Sequence, residues 1–377
     1  SIVLPKSMEG VSQTKETKTH SATKISEHNG TVKYQIDNGS TLLINQNKNN
    51  DIIAISVIAK GGEFLEKIPG EGTLTAATML KGTKKFSAQE LAQILDENGI
   101  IIEPGCSEDY FVINIQTTTA QIDKTMEILD YFNNYYAPSN MITLVVGDVD
   151  TEKAIAKIQQ SFNQEYKKPI KKTFRKEGQL QTQKRKIDYT DTEYGYMMIG
   201  FRGVDINNSE TYALDVLAEI LGGGKSSRLY RDIKEQKGLA FSISASNGSY
   251  RDDGIFYISA NFTPSSLDKL EKAIFEEIAN IQKYGVTDEE LNRAKNMLVQ
   301  DTYYSRESTS NISSELGYIM TLSNSSIIYD TYVENIKKVT AQEVVNAARK
   351  FLGTNKSAVS IVLPKSMEGV SQTKETK

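Results

Sequence analysis

Two histidines and one cysteine bound what this 377-residue chain can do by metal or nucleophile chemistry. His20 and His28 stand eight residues apart in a polar stretch. That spacing can share a helix face, yet no third ligand accompanies it, and solvated linker histidines are the simpler reading. Cys106 falls in a turn between two expected strands, with neither histidine nearby. Without a base to draw off its proton, a small turn residue outranks a nucleophile. A single cysteine also excludes an internal disulfide and leaves the redox compartment open. Gly222-Gly223-Gly224-Lys225-Ser226 has the ending of a phosphate-binding loop. The full pattern needs glycine where Glu219 stands and a strand before it. The preceding residues have helical periodicity instead, so the glycines read as a helix stop. Asp252-Asp253 and Asp288-Glu289-Glu290 fit a turn and a helix start rather than a calcium loop. Nineteen tyrosines come with no basic stripe, and 44 basic against 48 acidic residues leave a net charge of −4. Nothing there favours nucleic acid or an anionic membrane as a partner.

The elements that must position any site are marked by turn and cap signals. Lys33–Ile36 and Thr41–Ile44 flank Asp37-Asn38-Gly39, a hairpin signature. Ile52–Ala59 is apolar enough for a buried strand but far too short to span a membrane. Gly61-Gly62 breaks it, and Gly72–Met79 has helical character. Ser87-Ala88-Gln89-Glu90, Thr287-Asp288-Glu289-Glu290 and Thr340-Ala341-Gln342-Glu343 are capping boxes. The first opens a helix that Asn98-Gly99 should stop. Strands over Ile100–Glu103 and Phe111–Gln116, a helix over Ile122–Phe132, a strand over Met141–Val146 and a helix over Thr151–Phe162 complete the first half. The second half repeats the order. It has a strand over Tyr196–Gly203, a helix over Ser209–Leu221, a short helix over Leu229–Glu235, paired strands over Ala240–Asn247 and Gly254–Phe262, two long helices and a last strand over Ala358–Leu363.

Hydrophobic residues make up 38% of the chain and charged residues 24%, a globular balance with material for two cores. The expected organisation is a strand fragment and polar linker over 1–31, a first α+β domain over 32–163, a Lys/Gln-rich linker over 164–187, a second α+β domain over 188–366 and a polar tail over 367–377. Helices segregated onto antiparallel-rich sheets define the class. Ser1–Lys18 recurs identically as Ser360–Lys377. A diverged natural repeat would differ somewhere, so permutation or chain assembly is the expected source. The start reads as a piece excised from a longer protein and lacks the pattern of a signal peptide.

Several stretches together resemble the insulinase/pitrilysin family of zinc metallopeptidases, which includes mitochondrial processing peptidases and bacterial zinc proteases. They are Gly61-Gly62-Glu63-Phe64-Leu65-Glu66, Met79-Leu80-Lys81-Gly82-Thr83-Lys84-Lys85, Tyr136-Ala137-Pro138-Ser139-Asn140 with Val146-Gly147-Asp148, Ser226-Ser227-Arg228-Leu229 with Gly238-Leu239-Ala240, and Val339-Thr340. The resemblance runs from about Val32 to Pro364. It implies two similar α+β domains of the LuxS and processing-peptidase type, closing like a clamshell around unfolded peptide. Active members carry His-x-x-Glu-His just before the Lys-Gly-Thr segment. The three functional positions fall here on Thr73, Ala76 and Ala77. None can ligate zinc or take a proton from zinc-bound water. The family's further zinc carboxylate lies on a helix with no counterpart in this sequence, where Phe132 runs almost directly into Tyr135-Tyr136 and the domain is expected to be shortened near 133–135; the stretch is either lost or removed from this chain. Glu127 is the nearest acid, and it reads as a solvated helix residue.

Many relatives also place an Arg and a Tyr around Gly-Leu-Ala to hold substrate. Lys234 and Phe241 stand at those positions. Lysine lacks the guanidinium fork and phenylalanine lacks the hydroxyl, so carbonyl stabilisation would be weakened. The plainer reading makes Lys234 a solvated helix residue and Phe241 a strand core residue. The resemblance therefore implies a non-catalytic half, with no cofactor in this chain, zinc in a catalytic partner carrying His-x-x-Glu-His (in the same polypeptide or a separate subunit), and unfolded peptide as ligand. The other reading is a structural or assembly subunit with no part in proteolysis. A catalytic half outside this chain is a third. The compartment stays open, although exported bacterial relatives point to the periplasm.

Overall fold

Two Asn-Gly turns start the fold in the computed structural model, which describes residues 21–63, 66, 68–82, 86–129, 141–161, 178 and 180–369. Strand β1 (Ala22–His28) turns back through Asn29-Gly30 into β2 (Thr31–Ile36), with His28 opposite Thr31. Asn29 and Gly30 both take positive φ, 43° and 77°, as a two-residue hairpin turn of right-handed twist requires. The second turn, Asp37-Asn38-Gly39, leads into β3 (Thr41–Gln46). There the buried Asn38 Oδ1 accepts from Ser40 N at 3.0 Å. β1 corrects the expectation of a polar linker over 1–31. It is an edge strand whose residues are almost all exposed, so it carries no apolar alternation to read.

The chain divides into two units, 1–171 and 172–377. The first continues with β4 (Ile52–Lys60), α1 (Glu71–Thr78), α2 (Ala88–Asn98), β5 (Ile101–Cys106), β6 (Tyr110–Thr118), α3 (Ile122–Leu129), β7 (Met141–Gly147) and α4 (Thr151–Ser161). Its sheet runs β1-β2-β3-β7-β4-β6-β5. Only the β3–β7 pair is parallel. β7 is buried along its whole length and β4 along most of it. That burial is why both read as unbroken apolar runs rather than alternating ones. The core includes Leu42, Ile44, Ile53, Ile55, Leu91, Ile113, Ile115, Val145 and Ile158.

The second unit begins with β8 (Lys184–Thr190) and β9 (Gly195–Arg202), then α5 (Glu210–Gly222) and a π-helix over Leu229–Gln236. Next come β10 (Ser242–Ser249), β11 (Gly254–Phe262), α6 (Leu267–Tyr284), α7 (Asp288–Ser305), α8 (Thr309–Ser323), α9 (Ile327–Lys338), α10 (Ala341–Phe351) and β12 (Ser357–Pro364). The sheet order is β10-β11-β9-β12-β8, with β12–β8 the parallel pair. β8 corrects the linker expected over 164–187. It is a second polar edge strand, and Ile187 is its residue packed on the core. Five helices, α6 to α10, fill the region where two were expected. The first unit's shortening near 133–135, and the ends of the helices expected over 122–132 and 151–162, fall outside the described residues.

All three capping boxes form, at the starts of α2, α7 and α10. Each is worth about 1 kcal/mol, enough to fix where a helix starts, whereas the buried apolar face decides that it forms. Read from the parallel pair outward, β8-β12-β9-β11-β10 repeats β3-β7-β4-β6-β5. The halves differ between the helix after the paired strands and the inserted strand. α7 to α10 stand between α6 and β12, whereas only the short stretch 130–140 separates α3 from β7.

Gly222, expected as part of a helix stop, closes α5 against β10. A Cβ there would lie 2.0 Å from Ala245 N and 2.7 Å from Ser244 C, both backbone atoms. Gly224, at φ +86°, faces open space. Gly222→Ala is expected to destabilise the protein by about 3 kcal/mol, the upper end of overpacking costs. Gly224→Ala should cost only about 1 kcal/mol, through backbone strain. Urea titrations of the two variants check the ranking.

Candidate functional site

α1 is short and mostly exposed; Ala76 is its buried residue. Its start is held from outside, because Glu66 accepts from Gly70 N at 2.7 Å and from Gly72 N at 2.6 Å. The carboxylate satisfies helix N–H groups and complements the positive end of the helix dipole. Thr73, Ala76 and Ala77 follow at i, i+3 and i+4, so they share one side of the helix, as the metal motif requires. Thr73 Oγ1 donates to Glu63 Oε1 at 3.1 Å. Cys106 adjoins Gly72, and burial together with Glu66 and Glu63 pushes its thiol up, away from a reactive thiolate.

Zinc, which the resemblance implies for active members, does not fit this donor set. Alanine has no ligand atom, and the threonine hydroxyl is engaged with Glu63. Among the described residues no three His, Cys, Asp or Glu side chains come together to hold a metal ion. His28 ends β1, remote in sequence from α1, and His20 lies outside the described residues. Glu127 sits in α3, with its side chain outside them.

Lys234 and Phe241 engage different neighbours. The Lys234 Nζ lies 4.5 Å from the Tyr230 ring centre within the π-helix. Phe241 is not a core residue: it is 52% exposed and meets Tyr194 edge to face at 5.2 Å. It stands at the entry to β10 and beside the open face of the second sheet. Tyr196 and Met198 on β9 are 43% and 47% exposed on that face, with Asn261 and Ser259 opposite them on β11. The helix-covered face takes Met197, Ile199 and Phe201. The run Tyr196-Met197-Met198-Ile199 is apolar at every position, so its sequence did not reveal which side chains face outward. The open face is an aromatic, thioether and hydroxyl surface. It has rings and methyls for side chains and short polar groups for backbone amides.

Behind the sheet, Ser226-Ser227-Arg228-Leu229 joins the π-helix to α7. Arg228 Nε and Nη2 donate to the two Glu290 oxygens at 2.7 Å each, and Nη2 also reaches Gly285 O at 3.0 Å. Glu290 closes the Thr287 capping box as well. Burial alone would raise its carboxyl, but the bonds from Arg228 and Thr287 win and hold it at about 2. This part of the resemblance is a buried brace rather than a site.

In the first unit, α1 carries Thr73, Ala76 and Ala77 on one side, and no metal-binding cluster forms among the described residues. Residues 124–298 match the family model described as the peptidase M16 inactive domain. The chain is 28% identical over 257 residues to the uncharacterized zinc protease YmxG of Bacillus subtilis, covering 68% of this chain and 61% of that protein. It is also 28% identical over 242 residues to an uncharacterized zinc protease of Rickettsia felis, covering 64% and 58%. It thus spans about three fifths of the length of these relatives. A protease from Helicobacter pylori superposes with a TM-score of 0.79 at 19% identity, over 92% of this chain and 99% of that one. A peptidase M16 inactive domain from Pseudomonas fluorescens gives 0.76 at 16%, over 89% and 98%. At such identities these two show a shared fold.

The brace makes an acid-stability prediction. The Glu290 carboxyl is depressed from 4.5 to about 2. The stability it contributes is therefore fully present above about pH 4.5 and lost as pH falls from there toward 2. Arg228→Ala, which leaves a buried carboxylate uncompensated, is expected to cost about 3–5 kcal/mol near neutral pH. Arg231→Ala, at the exposed pair with Asp232, should cost under about 1 kcal/mol. Denaturant titrations at pH 7 and pH 3 check both, and the Arg228→Ala penalty should shrink at the lower pH.

Proposed function

We propose that this chain is a non-catalytic half of an M16-type zinc peptidase, binding unfolded peptide and completing the chamber of a catalytic partner. The observation that carries the reading is α1, which keeps the place of the metal motif but presents Thr73, Ala76 and Ala77 there. The partner carries His-x-x-Glu-His and the zinc, as a separate subunit or a further part of a longer polypeptide. The names of the relatives, zinc proteases of greater length, support such a division.

Peptide would lie against the open face and free edge of the second sheet. Among the described strands β10 is the outermost there, so the outer side of its backbone would take an added strand. Phe241 and Tyr196 supply apolar contacts and Lys234 a charge near a peptide carboxylate or carbonyl. Recognition through backbone hydrogen bonds makes little demand on sequence, which suits an unfolded substrate.

Metal analysis of the dialysed protein, with a quenched-peptide assay on the same sample, should find no stoichiometric zinc and no cleavage sensitive to chelator. Zinc bound at one per chain together with cleavage would sink the reading. A fluorescein-labelled unfolded peptide should bind, and Phe241→Ala with Tyr196→Ala should weaken it about tenfold without moving the unfolding midpoint, since both side chains are exposed. Co-purification of an unrelated assembly, with no peptide binding, would favour a scaffolding role instead.

A further inference from the structure

A cavity of about 230 Å³ lies on the helix-covered side of the second sheet, bounded by α5, α8, α9 and the end of β10. Its polar wall has an excess of acceptors. Asp215 on α5 receives one hydrogen bond on each oxygen, from Asn247 Nδ2 at 2.8 Å and from the Tyr332 hydroxyl at 3.0 Å. Both donors are neutral, and Asp215 makes no ion pair among the described residues. Asn247 Nδ2 also donates to Thr211 Oγ1 at 3.1 Å, while Asn247 Oδ1 is buried with no partner. A carboxylate without a counter-charge beside an orphaned amide oxygen is costly unless something supplies donors.

The other charged group at the wall is already spent. Glu315 on α8 takes two bonds from Arg306, at 2.6 and 3.2 Å. A bare divalent cation is poorly served, because no three metal-binding side chains converge there among the described residues. The rest of the lining is aromatic and aliphatic. Tyr212 and Tyr332 pack at 5.9 Å between ring centres, and Ile206, Ile319 and Ile328 line the cavity, which opens to solvent.

We infer that this cavity binds a small primary amine with an apolar stem, its ammonium group held by Asp215. An ammonium brings three donors and one positive charge, which are what the wall lacks. The tyrosine rings favour a cation over their faces, and the isoleucines accept the stem. Sequence offered no signal for this: Asp215 sits in an amphipathic helix among Leu214, Val216 and Leu217.

Burial pushes the Asp215 carboxyl up to about 6 despite its two hydrogen bonds. The titratable groups facing it are Tyr212 on α5, Glu315 and Tyr318 on α8, and Tyr332 on α9. Burial and Asp215 hold Tyr332 protonated, well above the usual range, and Glu315 is neutralised by Arg306. The group that changes charge between pH 5 and 8 is therefore Asp215, and amine affinity should rise as pH rises through about 6.

Calorimetry with a series from methylamine to 2-phenylethylamine, each beside its matching alcohol, tests the site on the whole chain. Expected are binding of at least one amine but not its alcohol, a rise in affinity of about tenfold from pH 5 to pH 8 and a similar loss in Asp215→Asn at pH 8. If that variant fails to fold, the pH dependence and the amine–alcohol contrast of the unaltered protein decide the matter. Binding of the tripeptide Leu-Gly-Gly, but not of its acetylated form, would identify the ammonium as a peptide N-terminus. No binding by any amine or by the free tripeptide would overturn the proposal, as would equal binding of the neutral counterparts.

Discussion

Each sheet is completed by a strand that enters its middle. β7 lies between β3 and β4, and β12 between β8 and β9, although each is the last strand of its sheet along the chain. Every residue of β7 is buried, and on β12 Val359, Ile361 and Leu363 are buried against the helices. Until the inserted strand arrives, β8 has no strand to pair with among the described residues. The whole α-helical layer of the second unit precedes β12, so sheet closure depends on pairing between segments far apart in sequence. Helix caps and turn residues set local geometry early, whereas the global arrangement waits on one late and central ladder.

The same strand order in both units, from parallel pair to paired strands, speaks for a duplication whose halves have since diverged. The difference is confined to one place. The second unit has α7 to α10 before its inserted strand, and the first has the stretch 130–140. The ladder beyond the inserted strand is the same in both sheets, so it does not depend on what lies between those two elements.

Much of this was readable in advance, for identifiable reasons. The capping boxes at Ser87, Thr287 and Thr340 and the turn at Asn38-Gly39 act through local hydrogen bonds, so a few residues determine them. That Thr73, Ala76 and Ala77 offer no zinc ligand is a matter of residue type alone, so it needs no structure to read. The edge strands β1 and β8 were not readable, since strands exposed on most positions lack apolar alternation; only Asn29-Gly30 hinted at the first. The boundaries between α6 and α10 were obscured by serine-rich helices such as α8, where tertiary packing overrides propensity. Phe241 looked like a core residue because its strand neighbours are. Its exposure follows from a position just before β10, where the pleat has not yet begun to alternate.

The five residues Ser360–Pro364 that complete the second sheet are also the first five of the chain. The C-terminal copy also brings Ser357, Ala358 and the buried Val359 ahead of these five, so it fills more of the slot between β8 and β9. Tethering favours it further. The C-terminal copy follows α10 after a connection of a few residues, so its effective concentration at the slot is high and its loop-closure cost small. The N-terminal copy would have to close a loop spanning the entire first unit. Chain connectivity thus acts together with the side chains, and the short link after α10 is a determinant of the sheet beside the residues that fill it.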